Sequence, residues 1–110
     1  MRRVKIDCEG IRDWDSFHDT FAAGFGFPEF YGRNMNAWIG CMSYLDDPNS
    51  GMTKVTCDKG DYGLLELENT QRLRKEHPDL YEAIVACSAF VNWRCVEAGR
   101  TPLLMLSFCE

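Results

Sequence analysis

The chain has 110 residues, of which 45% are hydrophobic and 26% are charged, and its formal net charge is -5. This length suffices for one core, and we expect residues 1–110 to form a single domain. An acidic balance repels phosphate, so it disfavours direct nucleic-acid binding and suits a basic protein partner better.

The N-terminus does not read as an export signal. Arg2 and Arg3 are followed by the alternating run 4–7, which breaks any apolar stretch. No segment approaches the roughly 20 apolar residues of a membrane span. We therefore expect a cytoplasmic protein with no membrane contact, in which the six cysteines are reduced. Because the cysteine count is even, a disulfide framework is the alternative.

The first half of the chain predicts a strand and a helix. Val4, Ile6 and Cys8 alternate with polar residues, as in a half-buried strand. Asp13 is a suitable N-cap for a helix, and Gly24 and Gly26 end it. The apolar face of this helix carries aromatic residues at spacings of three, four and four: Trp14, Phe17, Phe21 and Phe25.

A second helix is predicted from its N-cap, Asn34, to about Leu45. Trp38, Met42 and Leu45 fall at core spacing, and the pattern leaves the position of Ile39 open. Residues 46–51 form a turn cluster, and residues 51–62 show no period, as in a surface loop.

The second half predicts a strand, a short helical turn, a long helix and a strand. Residues 64–68 alternate partly, and residues 71–76 suit one helical turn. The long helix runs from Pro78 to Gly99. Its apolar positions are Leu80, Ile84, Cys87, Val91 and Cys95. Because residues 83–91 are almost wholly apolar, we expect this helix to be covered on more than one side. Residues 103–106 read as a buried parallel strand.

The order β-α-α-β-α-β predicts an α/β fold. Parallel strands joined by helical crossovers form one sheet layer with helices packed on it. We therefore expect a single layer of three parallel strands packed with three to four helices.

The segment 27–34 places three aromatic residues, Phe27, Phe30 and Tyr31, and a glycine between two predicted helices. A loop that only turned would be rich in Ser, Asn, Asp and Gly. Exposed aromatics beside a helix start usually mark a docking surface. The alternative is that Phe30 and Tyr31 pin the loop to the core.

The run Pro28-Glu29-Phe30-Tyr31-Gly32-Arg33-Asn34, followed by Met35, Asn36, Ala37 and Trp38, resembles the barstar family of ribonuclease inhibitors. The resemblance continues over most of the chain, with a longer insertion around residues 47–62. It implies a barstar-like fold in which this loop and the following helix plug the active site of a ribonuclease.

The resemblance also implies where this chain departs from the family. The family's inhibitory helix presents carboxylates one turn apart, and those positions fall on Asn36 and Gly40. A third family acid falls on Arg94, the acid of the loop becomes Arg33, and an aromatic becomes Ile39. A partner that offers acidic or apolar groups therefore suits this face better than a strongly basic active site.

We predict a partner-binding site from the resemblance and from the faces of the second helix. Its members are Phe30, Tyr31, Gly32, Arg33, Asn34, Asn36, Ile39, Gly40, Ser43 and Arg94. Phe30 and Tyr31 would anchor the partner, and Arg33 and Asn36 would hydrogen-bond to it. Gly40 would allow another backbone to approach closely, or would reflect close helix packing or a tolerated substitution.

The expected function is that of a barstar-like inhibitor or immunity protein that occludes the active site of a toxin nuclease, a ribonuclease. The alternative is a non-enzymatic regulator that binds a non-nuclease protein.

No nucleophile motif surrounds a cysteine, so we expect no enzyme activity. No Cys-x-x-Cys or His-x-x-x-His pair indicates a metal. Residues 24–26 lack the third glycine of a dinucleotide fingerprint, so we expect no cofactor.

Overall fold

A computed structural model describes all 110 residues and shows a parallel sheet with helices packed on it. The strands are β1 (Arg2–Asp7), β2 (Gly63–Glu68) and β3 (Leu104–Cys109), and the helices are α1 (Trp14–Phe25), α2 (Met35–Met42), α3 (Thr70–Glu76) and α4 (Pro78–Glu97). All pairing is parallel in the order β1-β2-β3, with Val4 opposite Leu65 and Leu65 opposite Leu106. The predicted α/β fold with three parallel strands and four helices is confirmed.

Helix α1 begins at its predicted cap and ends at Gly26, whereas Gly24, also predicted to end it, lies inside the helix. The Asp13 carboxylate accepts a hydrogen bond from Ser16 N at 2.8 Å, and the Ser16 hydroxyl accepts one from Asp13 N at 3.0 Å. This reciprocal capping satisfies two amides that the helix cannot pair. Gly26 ends the helix with φ +69°, a conformation that favours glycine. Trp14 was predicted to share the buried aromatic face, but its side chain is 42% exposed.

Aromatic rings of α1 and α2 pack against each other in the core. Phe17, Phe21 and Phe25 of α1 are fully buried, and Phe21 meets Trp38 of α2 edge-on at 5.6 Å between ring centroids. Trp38, Met42 and Leu45 are buried as predicted, and Ile39 is half-buried against the core. Helix α2 ends at Met42, so Leu45 reaches the core from the following turn.

One asparagine fixes strand β3 beside α4. The Asn92 side-chain oxygen accepts hydrogen bonds from Leu103 N at 3.0 Å and Leu104 N at 2.8 Å, and its amide donates to Leu104 O at 2.8 Å. Strand β3 consequently starts at Leu104 and runs to Cys109, later than the predicted 103–106. Leu103 is buried but precedes the strand.

The prediction that α4 is covered on more than one side is wrong. Leu80, Ile84, Val91 and Cys95 are buried, as the spacing predicted. The opposite side of the helix faces solvent, although it carries apolar side chains. Its exposed members include Ala86, Ala89, Phe90, Trp93 and Val96.

The cysteines are unpaired, and five of the six are at least partly buried. None of the helices combines the length and hydropathy needed to cross a membrane. No three His, Cys, Asp or Glu side chains converge as a metal site would require.

Candidate partner-binding surface

The loop between α1 and α2 points its two adjacent aromatic rings in opposite directions. Phe30 is 74% exposed, more than any other large hydrophobic side chain in the chain, whereas Tyr31 is only 9% exposed. Phe30 is therefore available to a partner. The interpretation that the ring only pins the loop to the core applies to Tyr31 and not to Phe30.

Tyr31 is bound inside the protein. Its hydroxyl oxygen and His18 Nδ1 are hydrogen-bonded at 2.6 Å, and its ring lies 4.7 Å from that of Phe27. Burial raises the pKa of Tyr31. The pKa of His18 is lowered, first by burial and then by the nearby Arg33 cation, which favours the neutral imidazole. The predicted role of Tyr31 as a surface anchor is corrected to that of an internal support.

Arg33 folds back onto α1 instead of standing free. One of its guanidinium nitrogens lies 3.0 Å from Asp19 Oδ1, and another donates to Asp15 O at 3.0 Å and lies 3.6 Å from Asp15 Oδ1. The hydrogen bond with Asp19 leads the effects that raise the pKa of Arg33. Its cationic charge is thus compensated by two carboxylates, so the loop is less positive than the sequence suggested.

The Arg33 backbone adopts an unusual conformation just before the N-cap of α2. Its φ of +54° is left-handed, which is uncommon for a residue with a side chain. The next residue, Asn34, caps α2 by accepting a hydrogen bond from Ala37 N at 2.8 Å. Asn34 was assigned to the partner site, but its side-chain oxygen is already engaged by the helix. Gly32 is exposed and lies at the turn, where a Cβ would be 3.4 Å from Ala37 Cβ.

The outer side of α2 carries small, uncharged residues. Asn36 is exposed, and Gly40 and Ser43 are half-buried. A Cβ built on Gly40 would have no neighbouring atom within 4 Å, so close helix packing does not explain this glycine. Ser43 donates a hydrogen bond to Ile39 O at 2.6 Å, which leaves its hydroxyl oxygen able to accept another. This side of α2 can therefore admit a flat partner surface.

Shallow depressions lie at both ends of α2. One of about 290 Å³ at the N-terminal end is lined by Trp14, His18, Arg33, Asn34 and Met35. Another of about 390 Å³ at the C-terminal end brings the predicted residues Ser43 and Arg94 together with Trp93, Glu97 and Arg100. The predicted site residues are thus arranged along one helix and its two flanks.

Trp14 and Trp93 line these depressions but were absent from the predicted site. Trp14 continues the aromatic spacing of α1, so the sequence predicts it on the apolar face of that helix and not in the site. Helical geometry places Trp93 away from the buried positions Val91 and Cys95. On a helical wheel α4 has a second apolar side, and this is the sequence signal that identifies Trp93.

The α/β scaffold presents an exposed aromatic loop and a neutral helix face, which is the arrangement expected of a protein-binding domain. The sequence matches the family described as Barstar (barnase inhibitor) over residues 1–107, and the chain belongs to that family. It is also 28% identical over 90 residues to the Bacillus subtilis (strain 168) protein named "Putative ribonuclease inhibitor YrdF". That alignment covers 77% of this chain and 99% of the relative.

Proposed function

We propose that this protein inhibits a ribonuclease by covering its active site with the Phe30 loop and the outer side of α2. The family and the similarity to YrdF support a ribonuclease-inhibitor role. We further propose that the target is a toxin nuclease and that the protein acts in the cytoplasm as an immunity protein. The inhibitor binds the nuclease and keeps its substrate out, and it makes or breaks no covalent bond.

The observation that carries this proposal is the exposed Phe30 ring on a loop that is fixed from inside. Phe30 is 74% exposed, while the next residue is hydrogen-bonded to His18 and Arg33 is paired with α1. Holding the loop before binding reduces the conformational entropy lost on association. A large aromatic side chain presented in this way is the type that dominates binding energy when a partner pocket receives it.

The inhibitory mechanism proposed here is steric rather than a mimic of phosphate. Asn36 and Gly40 carry no charge, so this side of α2 cannot present carboxylates to a basic active site. Arg33 does not oppose such a site strongly, because Asp15 and Asp19 compensate it. The surface therefore suits a nuclease whose active-site rim is apolar or mixed in charge.

The missing carboxylates also favour a second candidate function. A regulator that binds a non-nuclease protein through the same surface would need neither an acid at residue 36 nor one at residue 40. Both candidates predict a stable complex through Phe30. They differ in whether RNA cleavage stops.

Affinity capture from the source cell on the immobilised chain, followed by RNA-cleavage assays, separates the two. The recovered nuclease is purified and titrated with the free chain. We expect cleavage to fall to zero near one equivalent of inhibitor. Recovery of a specific partner without nuclease activity would support the regulator, and a nuclease that stays active under saturating micromolar inhibitor would contradict occlusion.

A further inference from the structure

The solvent-facing side of α4 carries a strip of large apolar side chains that no part of the chain covers. Phe90 is 44% exposed, Trp93 57% and Val96 55%. The Phe90 and Trp93 rings lie 5.9 Å apart between centroids, so they form one continuous patch. Single exposed apolar residues are ordinary, but a contiguous aromatic patch usually marks an interaction site.

This strip borders the surface already assigned to the partner. Trp93 and Arg94 share the depression of about 390 Å³ with Ser43, which follows the last residue of α2. Asn36, Gly40 and Ser43 recur at helical spacing, so the outer side of α2 leads directly to this depression. Helix α2 has eight residues and is thus about 12 Å long, which lies well within the width of one protein interface.

One wall of the depression is fixed by an internal ion pair. An Arg100 guanidinium nitrogen donates to both Asp46 oxygens, at 3.0 and 2.9 Å, and Asp46 is only 8% exposed. This pair ties the turn after α2 to the segment after α4. The depression is therefore preformed, as a receptor for a partner side chain should be.

Of the three arginines that line the two depressions, only Arg94 has no carboxylate partner. Arg33 is paired with Asp19, and Arg100 is paired with Asp46, whereas no carboxylate lies within 4.0 Å of Arg94. Its guanidinium carbon lies 5.8 Å from the centroid of the Phe90 ring, which holds the cation beside the aromatic patch. An exposed guanidinium beside apolar surface is best complemented by a carboxylate.

We propose that Trp93 and Arg94 form a second anchor for the same ribonuclease, which receives an apolar side chain against Trp93 and places a carboxylate on Arg94. This inference rests on the proposed function and specifies the partner's chemistry at one end of the interface. The inhibitor holds its target at both ends of α2, through Phe30 at one end and Trp93 at the other. The acidic group on the nuclease distinguishes it from enzymes whose facing rim is basic.

The test measures binding rates of the captured and purified ribonuclease to the wild type, Trp93→Ala and Arg94→Glu. Lys75→Glu is the control for charge, because Lys75 is exposed on α3 and its substitution changes the net charge as much as Arg94→Glu does. Met105→Ala is the control for an exposed apolar residue, because Met105 lies on β3 and is 51% exposed.

We expect Trp93→Ala to weaken binding by about tenfold or more, mainly through faster dissociation and independently of salt. Arg94→Glu should weaken it by a similar factor at low salt, and the deficit should shrink as ionic strength rises. Both controls should bind within about twofold of wild type, as residues outside an interface do.

Wild-type inhibition with unchanged binding by both α4 variants would overturn the second anchor and leave the proposed function standing. Tighter binding by Arg94→Glu would show a basic group opposite Arg94 and would overturn the carboxylate assignment. A failure of the wild type to inhibit any captured ribonuclease would overturn the proposed function, and this inference with it.

Discussion

His18 Nδ1 and the Tyr31 hydroxyl oxygen lie 2.6 Å apart in the interior, joining the middle of α1 to the loop that carries Phe30. Trp14 stacks on the imidazole at 6.0 Å between ring centroids, and Phe17 meets it edge-on at 5.2 Å. The loop is thus fixed by a buried polar contact within an aromatic cluster. Tyr31 points inward, whereas Phe30, the residue before it in the turn, lies in solvent.

Replacing Tyr31 by Phe tests how much this contact stabilises the fold. The variant loses the hydroxyl and leaves His18 Nδ1 buried without a partner, so we expect the free energy of unfolding to fall by about 1–3 kcal/mol. Tyr44→Phe is the matched control, because Tyr44 is 47% exposed and its change should stay within about 0.5 kcal/mol. Urea unfolding of both variants measures the difference, and equal stabilities would contradict a stabilising role.

The free energy of unfolding should fall as the pH drops below the ordinary pKa of histidine, 6.5. The pKa of His18 is lowered from 6.5 in the folded protein, so the unfolded chain binds a proton at a higher pH than the native one. The neutral imidazole therefore contributes fully above about pH 6.5, and its contribution is lost as the pH falls from there towards the lower folded value. Unfolding measured from pH 5 to 8 should show that the free energy of unfolding depends less steeply on pH in His18→Gln than in wild type. An equal dependence in both proteins would refute this source of pH dependence.

Phe30→Ala should weaken the complex without affecting the fold. Since the ring is 74% exposed, its removal should change the free energy of unfolding by no more than about 0.5 kcal/mol. Because Phe30 fills a partner pocket as an aromatic anchor, its loss should lower the affinity by about thirtyfold or more. Calorimetric titration with the purified partner measures this loss, and a wild-type affinity would remove Phe30 from the site.

Gly40→Ala should separate stability from binding. A Cβ at this position meets no atom within 4 Å, so the variant should gain about 0.5–1 kcal/mol of stability from helix propensity. If a partner backbone lies against Gly40, the same methyl group should reduce affinity. Gly10→Ala is the control, because a Cβ there also has no neighbour within 4 Å and Gly10 lies outside the proposed interface. Equal affinities for Gly40→Ala and wild type would show that the partner does not approach this glycine.

The thiols should react unequally in the native protein. Burial raises the pKa of Cys8 to about 12 and also raises the pKa of Cys41, Cys57 and Cys87, whereas Cys109 is exposed. Because the thiolate is the reactive form, a disulfide reagent at pH 8 should label Cys109 first, and all six only after unfolding. Mass spectrometry of the labelled peptides locates the modified residue, and rapid native labelling of Cys8 would contradict its burial.

Most of the scaffold could be predicted because local patterns agree with the tertiary structure. The cap at Asp13, the stop at Gly26 and the aromatic spacing of α1 each specify the same helix. Strand β3 was misplaced because its start depends on Asn92, which is distant in sequence and satisfies its first amides. Such a side-chain contact leaves no periodic signal in the strand itself.

The site was harder to predict than the scaffold because its chemistry depends on pairing in space. The loop motif predicted an exposed aromatic, and Phe30 is exposed, but the sequence does not show that Arg33 folds onto Asp15 and Asp19. The apolar run of α4 predicts burial on more than one side. In the structure the second side is an exposed surface centred on Trp93, which a pattern of apolar residues cannot distinguish from core.

The most direct measurement of the central claim is RNA cleavage by the captured nuclease as the purified chain is added. If Phe30 and the outer side of α2 cover the active site, cleavage should fall linearly to zero at one equivalent, and Phe30→Ala should need a large excess to reach the same end point. Continued cleavage by a nuclease that is fully bound to the inhibitor would contradict the account.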